Sequence, residues 1–144
     1  MQPLHHTLAA YHPGTLLLGN CDGWHNVPLH HIIACSSSNQ YTVVTLTHWR
    51  QIVVSNSILY YQKALAPAGF VRIHQSHLIN TLHLVQLRKC KEGYCAIMSG
   101  NITLPISRQQ KGPLLEKLRQ QSIDAQFMPN EVLPNIGQNE PNSN

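Results

Sequence analysis

Phe70-Val71-Arg72-Ile73-His74-Gln75-Ser76-His77-Leu78-Ile79-Asn80 is the stretch on which the reading of this chain turns. Phe70–Ile73 reads as extended chain, and Gln75–Asn80 is a short segment whose geometry its residues leave open. Upstream, the apolar period is helical: Ile58, Leu59, Tyr61 and Leu65 form one stripe. Ser55 or Ser57 can cap that helix, and Ala66-Pro67-Ala68-Gly69 stops it. Downstream, Leu82–Lys89 and Gly93–Met98 read as strands joined through Lys91-Glu92-Gly93, and Ser99-Gly100-Asn101 turns the chain into a last strand, Ile102–Ile106.

Working outward, more strands precede the helix. Thr15–Leu18 and Trp24–Val27 flank the turn cluster Gly19-Asn20-Cys21-Asp22-Gly23, and Pro28 ends the second of them or places it at an edge. Ile32–Ser36 and Tyr41–Thr47 are joined by the polar loop Ser37-Ser38-Asn39-Gln40, and Trp49–Val54 follows. Connections this short make neighbouring strands antiparallel. Trp24, Tyr41 and Trp49 are expected to pack in the core or on a hairpin. Ser107 can cap a final helix with Leu114, Leu115 and Leu118 facing the core, which Gly112-Pro113 interrupts or restarts. The fold class is therefore mainly β, antiparallel, with short helices at about 56–66 and about 108–119. Residues 1–13 read as a flexible arm, 14–120 as one domain, and 121–144, rich in Asn, Pro and Gln, as a disordered tail.

A 144-residue chain with 42% hydrophobic and 11% charged residues can bury a core. Its longest apolar runs are far too short to cross a bilayer, and the N-terminus lacks the pattern of a secretory signal, so a cytoplasmic location without membrane contact is expected. Reduced thiols are then expected at Cys21, Cys35, Cys90 and Cys95. Cys35 reads as a core residue, and the Cys90/Cys95 spacing matches neither a redox pair nor a zinc knuckle. The net charge of +4 is unevenly distributed. All ten Lys and Arg lie between Arg50 and Arg119, where only Glu92 and Glu116 oppose them, leaving +8. A basic segment of this kind suits a polyanion or is simply a solvated surface.

The quoted stretch resembles the core motif of the LytTR family of bacterial DNA-binding domains, roughly F-x-R-x-H-x-S-x-hydrophobic-hydrophobic-N. Phe70, Arg72, His74, Ser76, Ile79 and Asn80 fit it. Leu29–Ile33 resembles the family's strand entry, followed by a polar loop and Tyr41. Leu104-Pro105-Ile106-Ser107-Arg108, followed by Lys111, resembles its hydrophobic-P-hydrophobic-S-R segment. The likeness runs from about Leu16 to Leu118 in family order. It implies an elongated β-rich fold, a response-regulator-like transcription regulator, and loops that enter successive major grooves of double-stranded DNA, with two copies on direct-repeat sites. Carried over residue by residue, the DNA-facing positions are Asn39 and Gln40, Gln75 beside His74, and Arg108 with Lys111. Gln75 stands where the family is often basic, and Ser36 where it is often acidic, which puts the support of the first loop in doubt. A phosphate-receiving domain, common in the family, has no counterpart in these residues, so a stand-alone module is expected.

The chemistry of these residues fits the same partner. Arg reads the O6/N7 edge of guanine, and Asn or Gln the N6/N7 edge of adenine. Arg72, His74, Ser76 and Lys111 can donate to phosphates, which fixes register without reading sequence. His74 serves equally as a structural histidine, and Asn80 reads as a structural cap. Arg108 at a helix start is unfavourable unless an anion is near. Ten histidines raise the question of metal, but neighbours such as His30 and His31 on a strand point to opposite faces, and no H-x-x-x-H or H-E-x-x-H occurs. No nucleophile elbow, phosphate loop or close acid pair in the basic segment supports catalysis, so neither an enzyme nor a cofactor is expected. The alternative function is a protein-interaction module that has lost DNA binding and antagonises related regulators. A metal- or pH-responsive histidine-rich protein is a third reading.

Overall fold

The computed structural model describes residues 14–123; the expected arm 1–13 and all but the start of the expected tail lie outside the described residues. The chain divides into two units, Met1–Lys111 and Gly112–Asn144. Among the described residues the first unit holds ten strands. β1 (Thr15–Asn20) and β2 (Gly23–Pro28) form a hairpin. β3 (Ile32–Ser38), β4 (Tyr41–Leu46), β5 (Gln51–Val54), β6 (Phe70–His74) and β7 (His77–Asn80) form a five-stranded sheet in the order β5-β4-β3-β7-β6. β8 (Leu84–Cys90), β9 (Gly93–Met98) and β10 (Ile102–Ile106) form a three-stranded meander, and every strand pairing among the described residues is antiparallel. The expected β class and order therefore hold.

Helix α1 (Ile58–Leu65) starts where Ser57 accepts the N–H of Tyr60 at 3.2 Å, the expected cap. It buries Ile58, Tyr61 and Leu65 against Leu18, Cys35, Val44, Leu46, Phe70 and Leu78. Side chains of this size each contribute about 1.5–3 kcal/mol on full burial. Leu59, expected on that stripe, is half exposed because it sits one position off the i, i+3, i+7 row. β3 is central and buried on both sides. One extra residue at Ile33, where the register shifts, lets Ile32 and Cys35 share the helix-side core. Burial pushes the Cys35 thiol up to about 12, so this cysteine is inert packing, as expected. All four cysteines are free thiols.

Several local expectations need correction. The strand expected from Trp49, β5, begins at Gln51, because His48 and Trp49 are turn residues with φ of 64° and 61°. Trp49 and Tyr41 are exposed rather than packed in the core. Trp24 is also largely exposed, but its ring lies across the hairpin on Gly19, where a Cβ would meet it at 2.6 Å. The strand expected from Leu82 begins at Leu84, because Asn80 caps a 3-10 turn over Thr81–His83 by accepting the N–H of Leu82 at 3.0 Å. The undetermined Gln75–Asn80 segment is a tight turn followed by β7.

Helix α2 (Arg108–Gln121) is continuous, with Pro113 inside it rather than at a break. Ser107 caps it by accepting the N–H of Gln110 at 3.3 Å. In the second unit Leu114 is buried, Leu115 and Leu118 are partly buried, and Arg119 pairs with Glu116 at 2.8 Å. No helix among the described residues is long and apolar enough to cross a membrane.

Candidate nucleic-acid interface

Strand direction brings two separate segments of sequence to one end of the five-stranded sheet. β3 runs towards this end and turns through Asn39 and Gln40, while β6 arrives there and turns through Gln75 and Ser76 into β7. Because β3 pairs with β7 in register Ser36↔His77, the two turns are neighbours. The Ser37 N–H donates to the Ser76 carbonyl at 2.9 Å, and Ser36 Oγ lies 2.7 Å from His77 Nδ1. Ser36 therefore supports the first turn through a histidine of the second.

The third segment docks on the outer edge of the sheet. β6 is an edge strand whose register shifts between Arg72 and His74. The Ile73 carbonyl at that irregularity accepts the Ser107 N–H at 2.9 Å. Arg108 is the next residue, exposed at the first position of α2, with no hydrogen-bond or ion-pair partner among the described residues. Lys111 lies one turn on, its Nζ 4.4 Å from the centre of the Tyr94 ring.

Each expected site residue has a definite place. Asn39 is exposed in the left-handed region at φ 57°, which Asn tolerates better than most residues, and Gln40 is exposed beside it. Gln75 is exposed at the tip of the second turn. His74 accepts the Ser76 N–H on Nδ1 at 3.0 Å, so a neutral ring carries its proton on Nε2. The Ser76 hydroxyl has no protein partner among the described residues. Arg72 is occupied differently from a free phosphate donor. Its Nε donates to the His74 carbonyl at 2.9 Å, Nη2 to the Gln75 carbonyl at 2.6 Å, and Nη1 to Gln62 Oε1 at 2.5 Å. Three of its five donors thus brace the 74–77 turn and tie it to α1, which leaves two for any other partner.

The electrostatics favour an anion. No Asp or Glu occurs in residues 36–41, 72–77 or 105–111, which contribute Arg72, Arg108 and Lys111. His77 is held below the usual histidine range, first by burial and then by the neighbouring His74, 5.2 Å away between ring centres. It is thereby kept as a neutral hydrogen-bond partner of Ser36. Sequence reasoning did not identify His77, Gln62 or Tyr94 as supports. The His77–Ser36 contact depends on pairing residues 41 positions apart. The Lys111–Tyr94 contact depends on the end of β10 lying beside β9. Asn80 is structural, as read: its amide donates to the carbonyls of Leu29 and Ile32.

The chain is thus an antiparallel β scaffold that holds three acid-free polar segments beside one another. The chain belongs to the LytTr DNA-binding domain family, whose model matches residues 22–119. That family is one of DNA-binding domains and not a class of enzymes. It is 27% identical over 88 residues to the "Transcriptional regulatory protein LytR" of Staphylococcus aureus (strain MW2), covering 60% of this chain and 35% of that protein. The chain thus spans about a third of the length of that relative. Its fold is similar to the LytTr DNA-binding domain of a putative methyl-accepting/DNA response regulator from Bacillus cereus. That likeness has a TM-score of 0.65 and 19% identity, covering 73% of this chain and 96% of that one.

Proposed function

We propose that the chain reads double-stranded DNA sequence-specifically through the three clustered segments, as a transcription regulator whose DNA-binding module comprises residues 14–120. Arg108 reads a guanine edge in the major groove. Asn39, Gln40 and Gln75 reach into a neighbouring stretch of groove. His74 through Nε2–H, Ser76 through its hydroxyl and Lys111 through its ammonium hold phosphates. Arg72 is a positioning residue, and its two remaining donors add charge near the backbone. Two copies sit on direct-repeat half-sites. The observation that carries the reading is the pair of backbone hydrogen bonds, Ser37 N–H to Ser76 and Ser107 N–H to Ile73, which hold the segments side by side.

The test is selection of bound sequences from a random duplex pool, followed by titration against salt. A recovered motif, with affinity that falls linearly in log salt, supports the reading because neutralised phosphates release counterions. Recovery of no motif, together with capture of a related regulator, would transfer the reading to the antagonist module.

A further inference from the structure

The β8–β9 hairpin carries two cysteines that the DNA interface does not use. In this ladder Cys90 pairs with Gly93 and Arg88 with Cys95. Paired residues in an antiparallel ladder share a face, as do residues two apart along a strand. Cys90 and Cys95 are therefore diagonal neighbours on one face. Both thiols are half-buried and free, and Cys90 Sγ lies 3.7 Å from the Arg88 carbonyl. The other cysteines are not equivalent: Cys35 is fully buried, and Cys21 is exposed in the β1–β2 turn.

A diagonal pair is poorly placed for a disulfide. Diagonal neighbours stand about 7–8 Å apart at Cα, whereas bridging beyond about 7 Å needs backbone movement. The same spacing suits an atom placed between the two sulfurs. No group of three or more His, Cys, Asp or Glu side chains able to hold a metal occurs among the described residues. A tetrahedral zinc site or an iron–sulfur cluster, each needing about four ligands, therefore has no ligand set here.

We propose that Cys90 and Cys95 form a two-thiolate site for a thiophilic ion content with two sulfurs, of which Cu(I) is the biological representative. Soft thiolates select Cu(I). On binding, each thiol releases its proton to solvent and one S–Cu bond forms at each sulfur. Two neutral thiols and one monovalent cation thus become a bis-thiolate complex of net charge −1 and two protons, with no change in oxidation state. The surroundings match that charge. Arg88 is directly opposite Cys95, and Lys89 and Lys91 adjoin Cys90, against the single acid Glu92. Tyr94, between Gly93 and Cys95, points to the other face, where it carries Lys111. An occupied site therefore lies on the hairpin that supports one edge of the DNA interface, although the proposal does not depend on the DNA reading.

The experiment is anaerobic titration of the reduced, full-length chain with tetrakis(acetonitrile)copper(I) in competition with bicinchoninate. One equivalent of copper should be withdrawn from the chelator, and Cys90→Ser or Cys95→Ser should each abolish the withdrawal while Cys21→Ser leaves it intact. X-ray absorption at the copper edge of the parent protein should show two sulfur neighbours, a readout independent of how the variants fold. Failure to compete with the chelator, withdrawal that survives both serine substitutions, or nitrogen neighbours in place of sulfur would each overturn the proposal.

Discussion

Arg72→Lys separates two roles that both need a cation. If Arg72 acts mainly as a phosphate donor, lysine keeps the charge and most of the function. In the structure its guanidinium instead spans three acceptors on two sides: the carbonyls of His74 and Gln75, and Gln62 Oε1 on α1. An ammonium on a flexible stem cannot reproduce that planar fork. Lysine can satisfy one of the three, leaving two charge-assisted bonds unmade, each worth about 1.5 kcal/mol net. The guanidinium is only half-buried, so water offsets part of that loss, and the expected destabilisation is about 2 kcal/mol. In urea this lowers the unfolding midpoint by about 1 M. DNA affinity should fall because the Gln75 turn loosens, yet the slope of log affinity against log salt should hold, since no phosphate contact is deleted. A deleted contact would flatten that slope by about 0.9. Wild-type stability together with wild-type DNA affinity for Arg72→Lys would refute the bracing role.

Three further outcomes follow from the same geometry. Arg108→Ala should leave the urea midpoint unchanged, because the side chain is exposed and unpartnered among the described residues; in gel-shift titrations it should cost about 1–3 kcal/mol of affinity and relax discrimination at one base pair. Asn39→Gly keeps the left-handed turn and should weaken DNA binding at constant stability, whereas Asn39→Ala should also destabilise by about 1 kcal/mol in thermal unfolding. His77 has a folded pKa below its unfolded one, so the unfolded chain takes up its proton first as pH falls. Its contribution to stability is complete above the ordinary histidine pKa and is lost as pH drops through that value towards the lowered one; His77→Gln should flatten the urea midpoint between about pH 7.5 and 5.5 relative to wild type, and parallel curves would contradict this.

Much of the fold was legible because local rules and tertiary structure agree. Ser57, Ser107 and Asn80 occupy caps that their side chains favour. Gly93–Met98 and Ile102–Ile106 are bounded by turn residues and have the expected limits. The His48-Trp49 turn was not legible, since a bulky residue such as Trp49 rarely adopts positive φ and no Gly or Asn marks the β4–β5 connection. At the site, the motif residues were visible, but their division of labour was not. Whether a guanidinium faces solvent or folds back on carbonyls is decided by the path of the 74–77 turn and by Gln62, ten residues earlier in the chain. The support of Asn39 and Gln40 through Ser36 and His77 likewise arises only when β3 and β7 pair.

Amide shift mapping by NMR with a selected duplex probes the interface in one experiment. Large perturbations should cluster at residues 38–41, 74–77 and 107–111, with little change at the 47–50 and 99–101 turns. Perturbations centred on those latter turns, or spread without preference among all hairpins, would contradict the claim that one end of the sheet meets DNA.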